Sequence, residues 1–175
     1  MKNETGLIHI YYGDGKGKTT AAFGLALRCA GRGKNVVVAQ FLKGGASGEL
    51  DGVKRFPEIT VFRGKPTGKF TFQMNGEEKK ATAGQCGDIF HQAVDAAGDA
   101  RLLVLDEAVD ACAKGFLSME AVTAFLETKP QALEVVLTGH SLPQALADRA
   151  DYISHVVKEK HPFDQGVTAR ADIEF

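Results

Sequence analysis

The chain has 175 residues, 44% of them hydrophobic, with 21 lysines and arginines against 22 aspartates and glutamates. This length suits a sizeable core, and we expect a single domain over residues 1–175. The balanced charge gives no indication of a nucleic-acid partner. Met1 is not followed by a signal peptide, and no apolar run approaches the roughly 20 residues of a membrane helix. We therefore expect a cytoplasmic protein that contacts no membrane.

The first 41 residues predict a strand, a glycine-rich turn, a helix and a second strand. The first strand covers about residues 7–12, and the helix runs to about Ala30. Glycines and cations in residues 31–35 are typical of a helix end. Residues 36–41 form a continuous run rich in β-branched residues, which favours a strand buried on both faces of a parallel sheet.

The turn between the first strand and the helix has the composition of a phosphate-binding loop. It reads Gly13-Asp14-Gly15-Lys16-Gly17-Lys18-Thr19-Thr20. Its glycines leave the backbone free to direct N–H groups at an anion, and the helix start adds partial positive charge. Lys18 would contribute an ammonium group, and Thr19 a hydroxyl for Mg²⁺. The loop is one residue shorter than usual, because the common spacing places the first glycine at Tyr12.

Two irregular segments follow at positions that suit a ligand site. Residues 42–49 are rich in glycine, contain Lys43 and follow the second strand, at the edge where open α/β sheets bind ligands. They suit either a second wall of the site or a flexible connector. After a short strand at 59–62, residues 63–75 contain Phe70 and Phe72, which suit either a satellite of the core or a lid over a flat apolar ligand.

The second half of the chain continues the alternation of strands and helices. We expect helices at 77–97, 108–114, 118–129 and 143–150, with Ser118 as an N-cap, and strands at 101–105, 134–140 and 152–157. Residues 167–175 suit an edge strand or a hairpin arm. The alternation predicts an α/β fold of the P-loop NTPase class, with a mainly parallel sheet and helices on both faces.

An acidic pair ends the strand at 101–105. Asp106 and Glu107 come about 90 residues after the loop, and such a strand places a carboxylate beside the Mg²⁺ of a phosphate loop. We expect either residue to hold the metal, directly or through water. The residues alone leave three reactions open, which are ATP hydrolysis, phosphoryl transfer by a small-molecule kinase, and displacement of the triphosphate. A RecA-like switch with a macromolecular partner is a further alternative.

Motifs along nearly the whole chain resemble those of the ATP:corrinoid adenosyltransferases. They are residues 13–24, 33–36, 40–44, 70–72, 104–107, 137–139, 150–151, 160–169 and 173–175. The short loop together with Lys160-His161-Pro162-Phe163 is the most specific part of the likeness. The resemblance implies a RecA-like P-loop fold and transfer of the 5′-deoxyadenosyl group of ATP to Co(I) of a corrinoid, with triphosphate as the leaving group.

The resemblance also implies roles for individual residues. Residues 13–20, Lys43, His161 and Phe163 would bind the nucleotide or the corrinoid, and Lys18 would pair with the phosphates. Thr19 with Glu107 or Asp106 would hold Mg²⁺ or Mn²⁺. Phe70 and Phe72 would lie below the corrin ring and displace the lower axial ligand of cobalt, which eases reduction to Co(I). A homodimer and a flavin-type reductase are the implied partners.

Some positions depart from the family pattern. Phe72 stands where tryptophan is frequent, Gln73 where an acid is common, and His140 where arginine is common. The resemblance therefore does not imply that His140 makes the phosphate contact expected of that arginine. Because the first strand begins near residue 7, we also expect no N-terminal extension over the site.

Overall fold

The computed structural model describes residues 5–43, 45, 47–65, 69 and 71–173. The strands are β1 (Ile8–Tyr12), β2 (Val36–Gln40), β3 (Ile59–Arg63), β4 (Leu102–Asp106), β5 (Glu134–Gly139) and β6 (Tyr152–His155). The α-helices are α1 (Lys18–Ala30), α2 (Gly48–Val53), α3 (Gly76–Ala96), α4 (Ala108–Ala113), α5 (Met119–Thr128) and α6 (Gln144–Ala147). Short 3-10 turns cover Thr71–Gln73, Ala97–Asp99 and Pro162–Gln165.

All six strands belong to one sheet in the order β3-β2-β4-β5-β1-β6, and every neighbouring pair is parallel. The carboxyl ends of the strands therefore meet at one edge. The loops that follow β1, β2, β4 and β5 converge there, which is where parallel α/β sheets bind ligands.

The core lies on both faces of this sheet because the central strands alternate between two apolar clusters. Val36 and Val38 of β2 pack with Phe23 of α1 in one cluster. Val37 of β2 and Ile89 of α3 belong to the other. Every residue of β2 and β4 is buried. The predicted parallel sheet with helices on both faces is confirmed.

The elements differ from the sequence expectations in three places. Helix α2 was not predicted, because its sequence contains two glycines and no clear apolar period. Helix α6 covers only Gln144–Ala147, with Pro143 at its N-cap. The predicted strand or hairpin arm at 167–175 is wrong for the described residues 167–173, which have no strand partner and are exposed. No helix among the described residues is long and apolar enough to cross a membrane.

The glycine-rich loop is tied to the ends of β5 and β6 by backbone hydrogen bonds. Gly13 N donates to Gly139 O at 3.1 Å, and Gly15 N donates to Val156 O at 2.8 Å. Gly13 has a φ of +121°, and a Cβ at this position would lie 2.3 Å from Val156 O. Both the left-handed backbone and this close approach therefore require glycine.

We expect Gly13→Ala to lower the free energy of unfolding by about 3 kcal/mol, because backbone strain and a steric clash add. Gly84→Ala is the matched control, since Gly84 lies inside α3 and a Cβ there meets nothing within 4 Å. This control is expected to raise the free energy of unfolding by about 0.5–1 kcal/mol. Urea unfolding of both variants checks the expectation, and equal stability of the two would contradict it.

Candidate functional site

The centre of the site is the carboxylate of Asp106, the last residue of β4, which is fully buried. Its Oδ1 accepts hydrogen bonds from Thr19 Oγ1 at 2.9 Å and Thr138 Oγ1 at 2.8 Å. Its Oδ2 accepts from Lys43 Nζ at 2.8 Å and Gln40 Nε2 at 3.1 Å. Four donors from different elements thus satisfy one buried charge, which would otherwise be strongly unfavourable.

Lys43 lies where oxygen atoms of three residues converge. Its ammonium is 2.9 Å from Thr19 Oγ1, 2.8 Å from Asp106 Oδ2 and 3.5 Å from Glu107 Oε1. Burial alone would lower the pKa of Lys43, but the carboxylates of Asp106 and Glu107 outweigh it and raise that pKa. This group of oxygens is therefore a position suited to a cation.

Glu107 is held in an unusual backbone conformation at the start of α4. Its φ of 60° lies in the left-handed region, which costs free energy for a residue other than glycine. Its N–H donates to Thr138 Oγ1 at 2.8 Å, which helps to keep this conformation. Burial raises the pKa of Glu107 more than the nearby Lys43 lowers it.

The glycine-rich loop lies beside this cluster. Lys18 Nζ donates to Gly15 O at 2.7 Å, and burial lowers the pKa of Lys18. Asp14 Oδ1 accepts a hydrogen bond from Lys158 N at 3.0 Å, so Asp14 connects the loop to the C-terminal segment. Lys16 Nζ donates to Ile173 O at 3.4 Å, a second connection of the same kind.

Two adjoining cavities open at this edge of the sheet. The loop cavity, of about 360 Å³, is lined by Gly15, Lys16, Gly17, Lys18, Thr19, Thr20, Gln40, Lys43, Gly45, Ser47, Glu49, Arg63, Glu107, His140 and Ile173. The α3 cavity, of about 420 Å³, is lined by Gln40, Leu42, Lys43, Gly64, Lys65, Lys69, Thr71, Met74, Thr82, Gln85, Cys86, Ile89, Glu107, Lys114 and His140. Four residues line both cavities, namely Gln40, Lys43, Glu107 and His140. The two cavities therefore share a wall.

The structure brings most of the predicted binding residues together. Residues 15–20, Lys43 and Glu107 line the loop cavity. Gly13, Asp14 and Asp106 do not line it, because Gly13 packs against the end of β6, Asp14 bonds to Lys158 and Asp106 is fully buried. Among the described residues, no group of three or more histidine, cysteine, aspartate or glutamate side chains is placed to hold a metal ion. The predicted metal ligands thus amount to two carboxylates and a hydroxyl.

The aromatic and tail residues lie apart from this centre. Phe70 is outside the described residues. Phe72 is 80% exposed on the turn Thr71–Gln73 and lines a separate cavity beside α3. His161 Nδ1 accepts a hydrogen bond from Phe163 N at 3.1 Å, and Phe163 is 69% exposed. Neither His161 nor Phe163 lines the loop cavity or the α3 cavity.

The pairing of Asp110 with His140 was missed by sequence reasoning. Asp110 of α4 is 5% exposed; its Oδ1 accepts from His140 N at 3.0 Å, and its Oδ2 lies 2.7 Å from His140 Nδ1. The pair orients the imidazole at the wall between the two cavities. The signal in the sequence was the position of Asp110 shortly after Asp106, the last residue of β4.

Residues 4–175 match the family model for the ATP:corrinoid adenosyltransferases BtuR/CobO/CobP. The chain belongs to this family. It is 36% identical over 177 residues to the corrinoid adenosyltransferase CobA of Salmonella typhimurium, covering 99% of this chain and 88% of the relative. It is 32% identical over 175 residues to the corrinoid adenosyltransferase of Pseudomonas aeruginosa, covering 99% and 86%. The resemblance predicted from the motifs is confirmed, and the protein is a transferase.

Solved structures show the same fold in more distant chains. The cytoplasmic domain of EssC superposes with a TM-score of 0.55 at 18% identity, covering 99% of this chain and 38% of that one. ATPases 2 and 3 of EssC from Geobacillus thermodenitrificans give a TM-score of 0.54 at 14% identity, covering 95% and 35%. The chain thus spans less than two fifths of these larger proteins. The predicted α/β fold with a parallel sheet is confirmed.

We expect Glu107→Gln to raise the free energy of unfolding at pH 8. Because the folded state raises the pKa of Glu107, ionisation of this residue costs stability as pH rises. The gain should disappear as pH falls through the raised pKa, where the wild-type carboxyl is protonated. Urea unfolding at pH 8 and pH 5 measures it, with exposed Glu159→Gln as the control. A variant less stable than wild type at pH 8 would refute this account of the Glu107 environment.

Proposed function

We propose that this enzyme transfers the 5′-deoxyadenosyl group of ATP to Co(I) of a corrinoid and releases triphosphate. The observation that carries the proposal is the wall of four residues between the loop cavity and the α3 cavity. A substrate in each cavity would have its reacting end close to that of the other, beside Lys43 and His140, which line both cavities. Family membership supplies the class of reaction, and the cavities supply a place for each substrate.

The loop cavity suits the triphosphate. Gly15 and Gly17 leave the loop backbone open, and the start of the 13-residue helix α1 adds positive potential. Lys16 and Lys18 contribute ammonium groups at the same cavity. In the reaction the electron pair of Co(I) forms the cobalt–carbon bond while the bond from the 5′ carbon to oxygen breaks onto the triphosphate. Fixed positive groups around that leaving group lower the barrier.

The oxygens around Lys43 fit a divalent cation, because hydroxyl and carboxylate groups are the ligands that Mg²⁺ prefers. In this proposal Thr19, together with Glu107 or Asp106, holds Mg²⁺ or Mn²⁺ directly or through water. Of the two acids, Glu107 is the direct ligand candidate because it lines the loop cavity, whereas Asp106 orients Thr19 from below. When bound, the ion neutralises charge on the phosphate oxygens.

The α3 cavity suits one face of the corrinoid. Its wall includes Leu42, Met74 and Ile89, which offer apolar contact to a flat macrocycle. We propose that Phe70 and Phe72 act below the corrin ring as the family pattern implies. The exposure of Phe72 supports this role, since a large exposed aromatic side chain is available to a ligand.

The remaining expectations form part of the same proposal. We propose a single-domain chain that acts in the cytoplasm as a homodimer and accepts a corrinoid reduced by a flavin-type reductase. All four residues of the edge strand β6 are exposed, which supports contact with a second copy. His161 and Phe163 are proposed to contact substrate from the C-terminal segment, which approaches the loop cavity at Ile173.

Anaerobic incubation of the protein with MgATP and a chemically reduced corrinoid tests the reaction. We expect the Co(I) spectrum to give way to that of a cobalt–carbon bond, with triphosphate as the phosphorus product. Lys18→Ala should lower kcat/KM by about 100- to 1000-fold through loss of a charge at the leaving group. Lys34→Ala, at an exposed lysine outside the cavities, is the control. ADP as the product, or turnover of ATP independent of corrinoid, would refute the proposal.

The Asp110–His140 pair makes a further prediction for this reaction. With Nδ1 held by Asp110, the ring of His140 is fixed at the wall of both cavities, beside the place where the phosphates are proposed to bind. We expect His140→Gln and Asp110→Asn each to lower kcat/KM by about 10- to 100-fold, as loss of a charge-assisted hydrogen bond does.

Because Asp110 acts through His140, the double variant should be hardly slower than His140→Gln alone. Unfolding midpoints show whether each variant is folded. Independent, multiplying losses in the double variant would contradict a positioning role for Asp110.

A further inference from the structure

Besides Lys43, five lysines line the α3 cavity and the two cavities that adjoin it. A side cavity of about 280 Å³ shares Lys65 and Lys69 with the α3 cavity. A turn cavity of about 540 Å³ shares Lys114 with it and is also lined by Lys79 and Lys80 of α3. We call these five residues, all of them exposed, the lysine rim.

Most of the charge on the lysine rim is not neutralised by the protein. Lys69 pairs with Glu78. Within the described part of the chain, the other four rim lysines have no ion pair. The acids that line the three cavities are Glu78 and Glu107, and Glu107 already faces Lys43. Since the whole chain has a net charge of −1, this positive surface is a local feature.

The lysine rim is not needed to hold the triphosphate. The loop cavity has its own cations in Lys16, Lys18, Lys43 and Arg63, and no rim lysine lines it. The rim faces the side of the site where the corrinoid is proposed to bind. The side chains around a corrin ring end in carboxylates or in carboxamides, according to how far the corrinoid has been amidated. Only the carboxylates would pair with lysine ammonium groups.

We propose that the lysine rim makes this enzyme prefer corrinoids that retain free peripheral carboxylates over fully amidated corrinoids. The preference rests on the proposed function, because it concerns the second substrate of that reaction. Exposed ion pairs are individually weak, so each lysine changes the ratio of kcat/KM between the two kinds of corrinoid by a small factor. Several lysines together set the selectivity. The attraction also falls as ionic strength rises.

The test compares two corrinoids reduced chemically to Co(I), so that no reductase takes part. Cobyrinic acid a,c-diamide retains free carboxylates, and cobinamide has only amide side chains around the ring. At low salt and saturating MgATP we expect the wild-type kcat/KM to favour the diamide by about tenfold or more. The double variant that combines Lys65→Gln and Lys114→Gln should reduce this kcat/KM ratio by about two- to fivefold for each charge removed.

Lys34→Gln removes the same charge from an exposed lysine that lines none of these cavities, and it should leave the ratio unchanged. Added salt should reduce the wild-type ratio as well. A wild-type ratio near one, or a ratio that the double variant does not change, would overturn the preference while leaving adenosyl transfer intact. Absence of transfer to both corrinoids would overturn the proposed function itself, and the preference with it.

Discussion

The buried carboxylate of Asp106 is the interaction on which the site depends. A charge at the end of a central strand is tolerated only because Thr19, Thr138, Gln40 and Lys43 all donate to it. The donors come from three parts of the chain, namely the start of α1, the end of β2 with the loop after it, and β5. The carboxylate therefore holds together the start of α1 and the ends of β2, β4 and β5. The glycine-rich loop, Lys43 and Glu107 thereby keep fixed positions relative to one another.

The order of the strands in the sheet determines which side chains surround Asp106 and Glu107. Because β4 lies between β2 and β5, Asp106 comes within reach of Lys43 on one side and Thr138 on the other. Thr138 also accepts the backbone N–H of Glu107 and so supports the strained conformation that turns Glu107 toward the cavities. The buried carboxylate of Asp106 and the half-buried carboxylate of Glu107 are thus neighbours in sequence with separate tasks. One orders the wall between the cavities, and the other is available to a ligand.

The parts of the site that follow from local patterns could be predicted from the sequence. The loop at 13–20 and the acidic pair at 106–107 are short motifs in a strand-and-turn context, and both lie where the strand pattern placed them. The pairing of Asp110 with His140 joins residues 30 positions apart, and that of Gln40 with Asp106 joins residues 66 apart. Such contacts depend on strand order, which residue spacing does not reveal. The tail at 167–173 was wrongly predicted as a strand because β-propensity carries little information without a partner strand.

The central claim is that the loop cavity and the α3 cavity hold the two substrates on either side of one wall. A crystal structure with MgATP and a Co(II) corrinoid tests it most directly. We expect the triphosphate on residues 15–20 and the corrin ring in the α3 cavity, with the 5′ carbon facing cobalt beside Lys43 and His140. A corrinoid bound away from this wall, or a nucleotide whose 5′ carbon points away from the α3 cavity, would contradict the account.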